Sequence, residues 1–181
     1  MVGPAAGQQA CGDIGPGRME EPHLIADAAG KLFSSGLLAG RKVVITAGPT
    51  REALDPVRYI SNPSSGKMGY ALARASVDAG ALPTLVSGPV NLAPPDHVRC
   101  LGVESAEQML ERCLELMAEC DIFIACAAVA DYRPAVVQQQ KIKKGAERLT
   151  LELTRNPDIV AAVAASENRP FTVGFAAETN D

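Results

Sequence analysis

The spacing of apolar and polar residues changes character at Lys42. From there KVVITAG predicts a buried strand, GKMGYALARASVDAG a helix, LPTLVSG a strand and VRCLGV a short strand. SAEQMLERCLELMAEC predicts an amphipathic helix, DIFIACAAVA a buried strand, RLTLELT an alternating strand, NPDIVAAVAASE a helix and FTVGFAA a last strand. The order is β-α-β-β-α-β-β-α-β. Before Lys42 the chain is rich in Gly, Pro and Ala, with one helix expected in PHLIADAAGKLFSSG. A boundary near Gly40 divides a leading segment, 1–39, from one domain, 40–181.

VVITA and IFIACAAV are apolar without alternation, as a strand covered on both faces requires. The expected fold is therefore α/β, a Rossmann-like, three-layer αβα arrangement around a doubly wound, mainly parallel sheet. Ligands in such sheets bind beyond the carboxyl ends of the strands, which directs attention to the loops after Thr46, Ser87, Ala128 and Phe175. ITAGPT and LVSGPV both end a strand in Gly-Pro but then diverge, so they make no repeat.

Composition narrows the function classes. At 181 residues, 47% hydrophobic and 21% charged, the chain suits one domain burying roughly 70% of its unfolded surface. A net charge of −4 opposes duplex nucleic-acid binding, which needs clustered Lys and Arg. The five cysteines, Cys11, Cys100, Cys113, Cys120 and Cys126, form no CxxC pair and are expected as reduced core residues. No basic-then-apolar leader opens the chain, and the longest apolar run, Ile122 to Ala130, is too short for a membrane span. A cytoplasmic location is expected, with neither nucleic-acid nor membrane partners.

The loop AGPTREALDPVRYISNPSSGKMG is long enough to suggest function. Its end sets Ser64, Ser65 and Gly66 before a helix, where the macrodipole favours an anion, although Ser65 could be a plain N-cap. A P-loop is excluded by Ser61 and Met68, and a dinucleotide fingerprint by the lack of its first glycine and of an acid after LPTLVS. Arg58 could match a carboxylate or phosphate, or simply pair with Asp55 or Glu52. Asn62 could polarise an acyl carbonyl.

Asp131-Tyr132-Arg133-Pro134 follows the buried strand, whose small Ala125, Cys126 and Ala127 would admit a flat ring or serve close helix packing. Lys141-Ile142-Lys143-Lys144 opens a basic loop that reads equally as a solvated face. Asn156-Pro157-Asp158-Ile159 reads as a helix start, with Asn156 as N-cap and Pro157 as first helical residue.

Together GPTREALDPVRYISNPSSGKMG, LVSGPV, AAVADYRP, KIKK, NPDIV and GFAAETND resemble the synthetase domain of bacterial phosphopantothenate-cysteine ligases over residues 42–181. ACGDIGPGRMEEP resembles the closing motif of FMN-dependent phosphopantothenoylcysteine decarboxylases. The first resemblance implies that CTP with Mg2+ activates the carboxylate of phosphopantothenate as an acyl-cytidylate, which L-cysteine then attacks. A non-catalytic nucleotide-binding fragment is the alternative.

The resemblance implies that Asn62 and Arg58 handle the acyl intermediate and that Lys141 acts at the nucleotide, on a flap crossing a homodimer interface. Ala125, Cys126, Ala127, Asp131, Asn156, Pro157, Asp158, Ile159 and Phe175 are implied as nucleotide contacts. Cys11 matches a decarboxylase proton donor expected to be inactive here, and FMN is expected only in the full-length decarboxylase part. The strand FTVGFAA is expected well inside the sheet, and ending at Asp181 is expected to weaken binding and turnover.

Overall fold

The computed structural model describes residues 2–9, 11–31, 36–143, 145 and 148–177. Ala10 of the ACGD motif, residues 32–35 of the first expected helix, Lys144, and residues 178–181 of GFAAETND lie outside the described residues. The chain forms two units, Met1–Gly36 and Leu37–Asp181.

In the first unit β1 (Ala5–Gln8) pairs antiparallel with β2 (Ile14–Arg18), and α1 (Pro22–Lys31) follows. The helix was expected but the hairpin was not. Its strands, AAGQ and IGPGR, have none of the β-branched alternation that marks a strand, apart from Ile14.

The second unit begins with β3 (Lys42–Ala47), β4 (Arg51–Ala53), β5 (Tyr59–Ser61), α2 (Lys67–Asp78), β6 (Leu82–Ser87) and β7 (Arg99–Gly102). It continues with α3 (Ala106–Leu116), a 3-10 turn (Met117–Glu119), β8 (Ile122–Ala125), β9 (Tyr132–Pro134), β10 (Leu153–Arg155), α4 (Ile159–Ala164) and β11 (Phe171–Gly174). Five strands form a parallel sheet in the order β11-β8-β3-β6-β7.

β3 is central because every residue after Lys42 is buried. Its side chains alternate between faces. Val43, Ile45 and Ala47 meet Leu85 and, from the α2 side, Ala73. Val44 joins Val86 and Phe123 against Met109, Cys113, Ile159 and Val163 of α3 and α4. The sheet thus lies between two helical layers, as the unbroken apolar strands predict. Burying a side chain such as Phe123, which has no exposed surface, stabilises by about 1.5–3 kcal/mol.

Local chemistry sets the helix ends. Ser105 Oγ accepts the Gln108 N–H at 3.2 Å while Gln108 Oε1 accepts the Ser105 N–H at 3.3 Å, closing a capping box on α3. α2 instead starts from Gly66 at φ 71°, with no side-chain cap, so Ser65 is not its N-cap. A Cβ at Gly66 would lie 2.8 Å from Val90 Cγ1, so the turn needs glycine for space as well as for φ.

Five expectations are corrected. The buried strand ends at Ala125 instead of Ala130, because the N–H groups of Cys126 and Ala127 turn to the Thr46 hydroxyl. RLTLELT contributes only β10, which pairs with β9 in a separate antiparallel ribbon with all three residues exposed. The fourth helix starts after Asp158, whose Oδ1 accepts the Ala161 N–H at 2.9 Å; the Asn156 amide is occupied elsewhere, so Asn156 is not the cap. The long loop after β3 folds into the β4–β5 hairpin. Finally, among the described residues β11 pairs with β8 alone and lies at an edge of the sheet.

Candidate functional site

Chain order reverses between β3 and β8, so their carboxyl ends diverge at a switch point where a crevice forms. The two loops leaving these strands are stitched together. The Ala128 N–H donates to the Gly48 carbonyl at 2.8 Å, the Thr50 N–H to Ala128 at 3.3 Å, and the Ala130 N–H to Thr50 Oγ1 at 3.0 Å. Asn62 Nδ2 adds a bond to the Val129 carbonyl at 3.0 Å. A third loop closes in at Gly88, where a Cβ would stand 1.7 Å from the Pro49 carbonyl oxygen.

The first cleft, about 490 Å3, opens on this crevice. Ala125 and Ala127 come from the β8 end, Asp131 from the following loop, Asn156, Pro157, Asp158 and Ile159 from the α4 start, and Phe175 from the β11 end. These eight expected contacts converge, although they span fifty residues of sequence. Asn156 Nδ2 donates to the Ala130 carbonyl at 2.7 Å, and its Oδ1 accepts Arg133 Nη1 at 3.1 Å. Arg133 also pairs with Glu107 at 2.8 Å, bracing the α4 start against α3. Cys126 does not line the cleft; burial raises its thiol pKa, keeping it protonated near neutrality.

The second cleft, about 760 Å3, gathers Asn62, Ser64 and Ser65 with Arg51, Tyr59, Lys67 and Asn91. Arg51 stacks 4.7 Å above the Tyr59 ring, which holds its guanidinium at the cleft. Gly66 sits at the helix start behind it. Two cations, two hydroxyls and the N-terminus of a twelve-residue helix favour an anion here.

Arg58 and Lys141 lie apart from both clefts. Arg58 Nε and Nη2 donate to Asp55 Oδ2 at 3.0 and 2.6 Å, the pairing weighed in the sequence. That guanidinium, helped by the N–H groups of Val57, Ile142 and Arg58, holds the Asp55 carboxyl well below the usual carboxylate range against the opposing effect of burial. Glu52, the other candidate partner, accepts the Ala106 N–H at 3.0 Å instead. Lys141 lines a third cleft, about 480 Å3, with Leu54, Val136 and Leu151.

Among the described residues, no group of three or more His, Cys, Asp or Glu could hold a metal ion, and no helix is long and apolar enough to cross a membrane. All five cysteines are free, but only Cys113 is fully buried and Cys11 is exposed, so the core expectation fails for Cys11. Thr46 and Thr50 are site residues that sequence reasoning did not select, whereas Arg51, grouped in the sequence with Arg58 and Asn62 as a match for a carboxylate or phosphate, does line the second cleft. A hydroxyl inside the apolar run VVITA was the available signal for Thr46.

Residues 38–181 match the family model of the DNA/pantothenate metabolism flavoprotein C-terminal domain. The chain is 57% identical to the coenzyme A biosynthesis bifunctional protein CoaBC of Vibrio vulnificus strain YJ016 and 55% identical to that of Escherichia coli strain K12. Each match covers 99% of this chain and 45% of the relative, so the chain spans under half of their length. A crystal structure of the C-terminal domain of CoaBC superimposes with a TM-score of 0.70 at 46% identity, covering 80% of this chain and 68% of that one. Cab2 H337A in complex with phosphopantothenate-cysteine shares the fold, with a TM-score of 0.60 at 20% identity over 70% of this chain and 60% of that one.

These matches correct the identification made from the motifs. The family matched over 38–181 is described as a flavoprotein C-terminal domain and not as a CTP-dependent ligase. The ligase assignment is therefore replaced, along with its nucleotide-binding alternative, and CTP and Mg2+ go with it. The flavoprotein description suggests FMN in the decarboxylase part of a full-length member. The first cleft does not fit a flavin edge: the Cys126 and Ala127 N–H groups both donate to Thr46 Oγ1, and the Ala125 carbonyl accepts the Phe175 N–H. Through residues 38–181, this chain belongs to the DNA/pantothenate metabolism flavoprotein C-terminal domain family.

Proposed function

We propose that this chain is the binding domain of a cytoplasmic, bifunctional coenzyme A biosynthesis enzyme, and that its first two clefts hold a phosphopantothenoyl-bearing small molecule. The observation that carries this reading is the second cleft, where Arg51 and Lys67 flank Ser64, Ser65 and the start of α2. A phosphate monoester there would meet two cations, two hydroxyls and a helix N-terminus. Asn62 lines the second cleft while bonding Val129 of the first, so the acyl portion would pass beside its amide. The identity of the relatives as coenzyme A biosynthesis proteins supports this substrate class. Exposed Val136, Leu149 and Leu151, which line the third cleft with Lys141, suit a homodimer that covers them.

Calorimetric titration of phosphopantothenate and phosphopantothenoylcysteine tests the reading. Both should bind, dephosphorylated pantothenate should bind at least about tenfold more weakly, and Lys67→Ala should erase most of that difference. Equal affinity with and without the phosphate overturns it.

A further inference from the structure

The Ile142 peptide is gripped from both sides by two residues more than eighty positions away. Its N–H donates to Asp55 Oδ2 at 3.1 Å, and its carbonyl accepts Arg58 Nη2 at 2.8 Å. Asp55 Oδ1 meanwhile accepts the N–H groups of Val57 and Arg58 at 2.8 and 2.9 Å, and its side chain is wholly covered. The carboxylate therefore uses one oxygen to shape the β4–β5 turn and the other to reach the basic segment. The turn closes through Leu54 N–H to the Arg58 carbonyl, so its own pairing does not require Ile142. Upstream, the Gln138 N–H donates to the Leu54 carbonyl at 2.9 Å, giving the same segment a second anchor on the turn.

We propose that Asp55 is a positioning residue: with Arg58 it clamps the Ile142 peptide to the β4–β5 hairpin and thereby sets where Lys141 and Lys143 project. The clamp does not rest on the proposed function above, which places the phosphate in the second cleft, away from Lys141 and Lys143. Asparagine at position 55 keeps the size and one acceptor but removes the charge that holds Arg58 and the Ile142 N–H together.

Residue-resolved hydrogen exchange and limited trypsin digestion of the whole chain test the clamp. In Asp55→Asn, exchange at the Ile142 amide should rise about tenfold or more, as expected for losing a bond to a charged acceptor. Cleavage after Lys141 and Lys143 should quicken, while the amides of Ile45 and Phe123 keep their protection. Arg58→Lys, which leaves the Ile142 N–H on Asp55 but cannot fork to the carbonyl, should give a smaller rise. Unchanged exchange at Ile142 in Asp55→Asn, or an equal rise at Ile45 and Phe123 in both variants, overturns the positioning role. Phosphopantothenate affinity is measured in parallel: failure of the unmodified chain to bind counts against the proposed function and leaves the clamp result standing.

Discussion

Thr46 Oγ1, at the end of β3, accepts the backbone N–H of Cys126 at 3.1 Å across the switch point, and the next N–H, of Ala127, at 3.2 Å. One buried hydroxyl thus ends β8 and shapes the floor of the first cleft. Thr46→Val keeps the shape but leaves two N–H groups without their acceptor, which should cost about 2 kcal/mol or more. Thr46→Ser, losing only a methyl, should cost about 0.8 kcal/mol. Urea denaturation of both variants checks the order; a loss in Thr46→Ser at least as large as in Thr46→Val would overturn the larger share given to the hydroxyl.

Glu52 on β4 is buried and accepts the N–H of Ala106, the first residue of α3. Its carboxylate therefore satisfies one of the donors that a helix start leaves unpaired, at the positive end of the dipole. Glu52→Ala should destabilise by about 2 kcal/mol, and Glu52→Gln, which retains an acceptor, by less. Thermal unfolding of the pair measures the difference.

Gly69 lets α2 lie directly on β3: a Cβ there would stand 2.5 Å from Ala47 Cβ and 3.2 Å from the Thr46 carbonyl oxygen. Gly69→Ala gains about 1 kcal/mol of helix propensity but forces the helix away from the strand. Such overpacking costs typically about 1–3 kcal/mol, so a net loss of stability is expected. A rise in melting temperature would mean that the layers separate at little cost.

Among the described residues, three carboxylates have pKa values lowered in the fold. Asp55 is held by Arg58, Glu119 by Lys42, and Asp121 by the Lys42 N–H and then by Arg41. A depressed folded value contributes stability that is present above the unfolded value, about 4, and lost as pH falls through the folded one. Cys113 has the opposite sense: burial pushes its thiol up to about 12, so its contribution is present below the unfolded value and lost as pH rises towards 12. The urea midpoint should therefore be level from about pH 5 to 8 and fall on both sides. Asp55→Asn should flatten the acid limb; an unchanged limb would remove Asp55 from this account.

Cysteine reactivity should follow burial. Cys11 is exposed, whereas Cys113 has no exposed surface and a raised pKa. With iodoacetamide at neutral pH, Cys11 should be alkylated in the native protein and Cys113 only in denaturant. Native alkylation of Cys113 would reveal opening of the α3 layer.

The sequence alone determined whatever depends on neighbours a few positions apart. The unbroken apolar run of VVITA marked β3, the periodicities of 67–78 and 106–116 marked α2 and α3, and Asp55 three residues before Arg58 already suggested their ion pair. The rule that ligands bind beyond the carboxyl ends of such strands likewise pointed to the loops that line the clefts. The tertiary structure decided everything that depends on partners far apart in the chain. Thr46 stops β8 eighty residues later, Asn62 donates to Val129, and Asp55 binds Ile142. The same holds for β11 at an edge and for β9 with β10 outside the main sheet. These outcomes rest on directional hydrogen bonds between segments that chain periodicity does not connect. Hydrophobic patterning sets which face of an element is buried; only the folded arrangement sets which donor meets which acceptor.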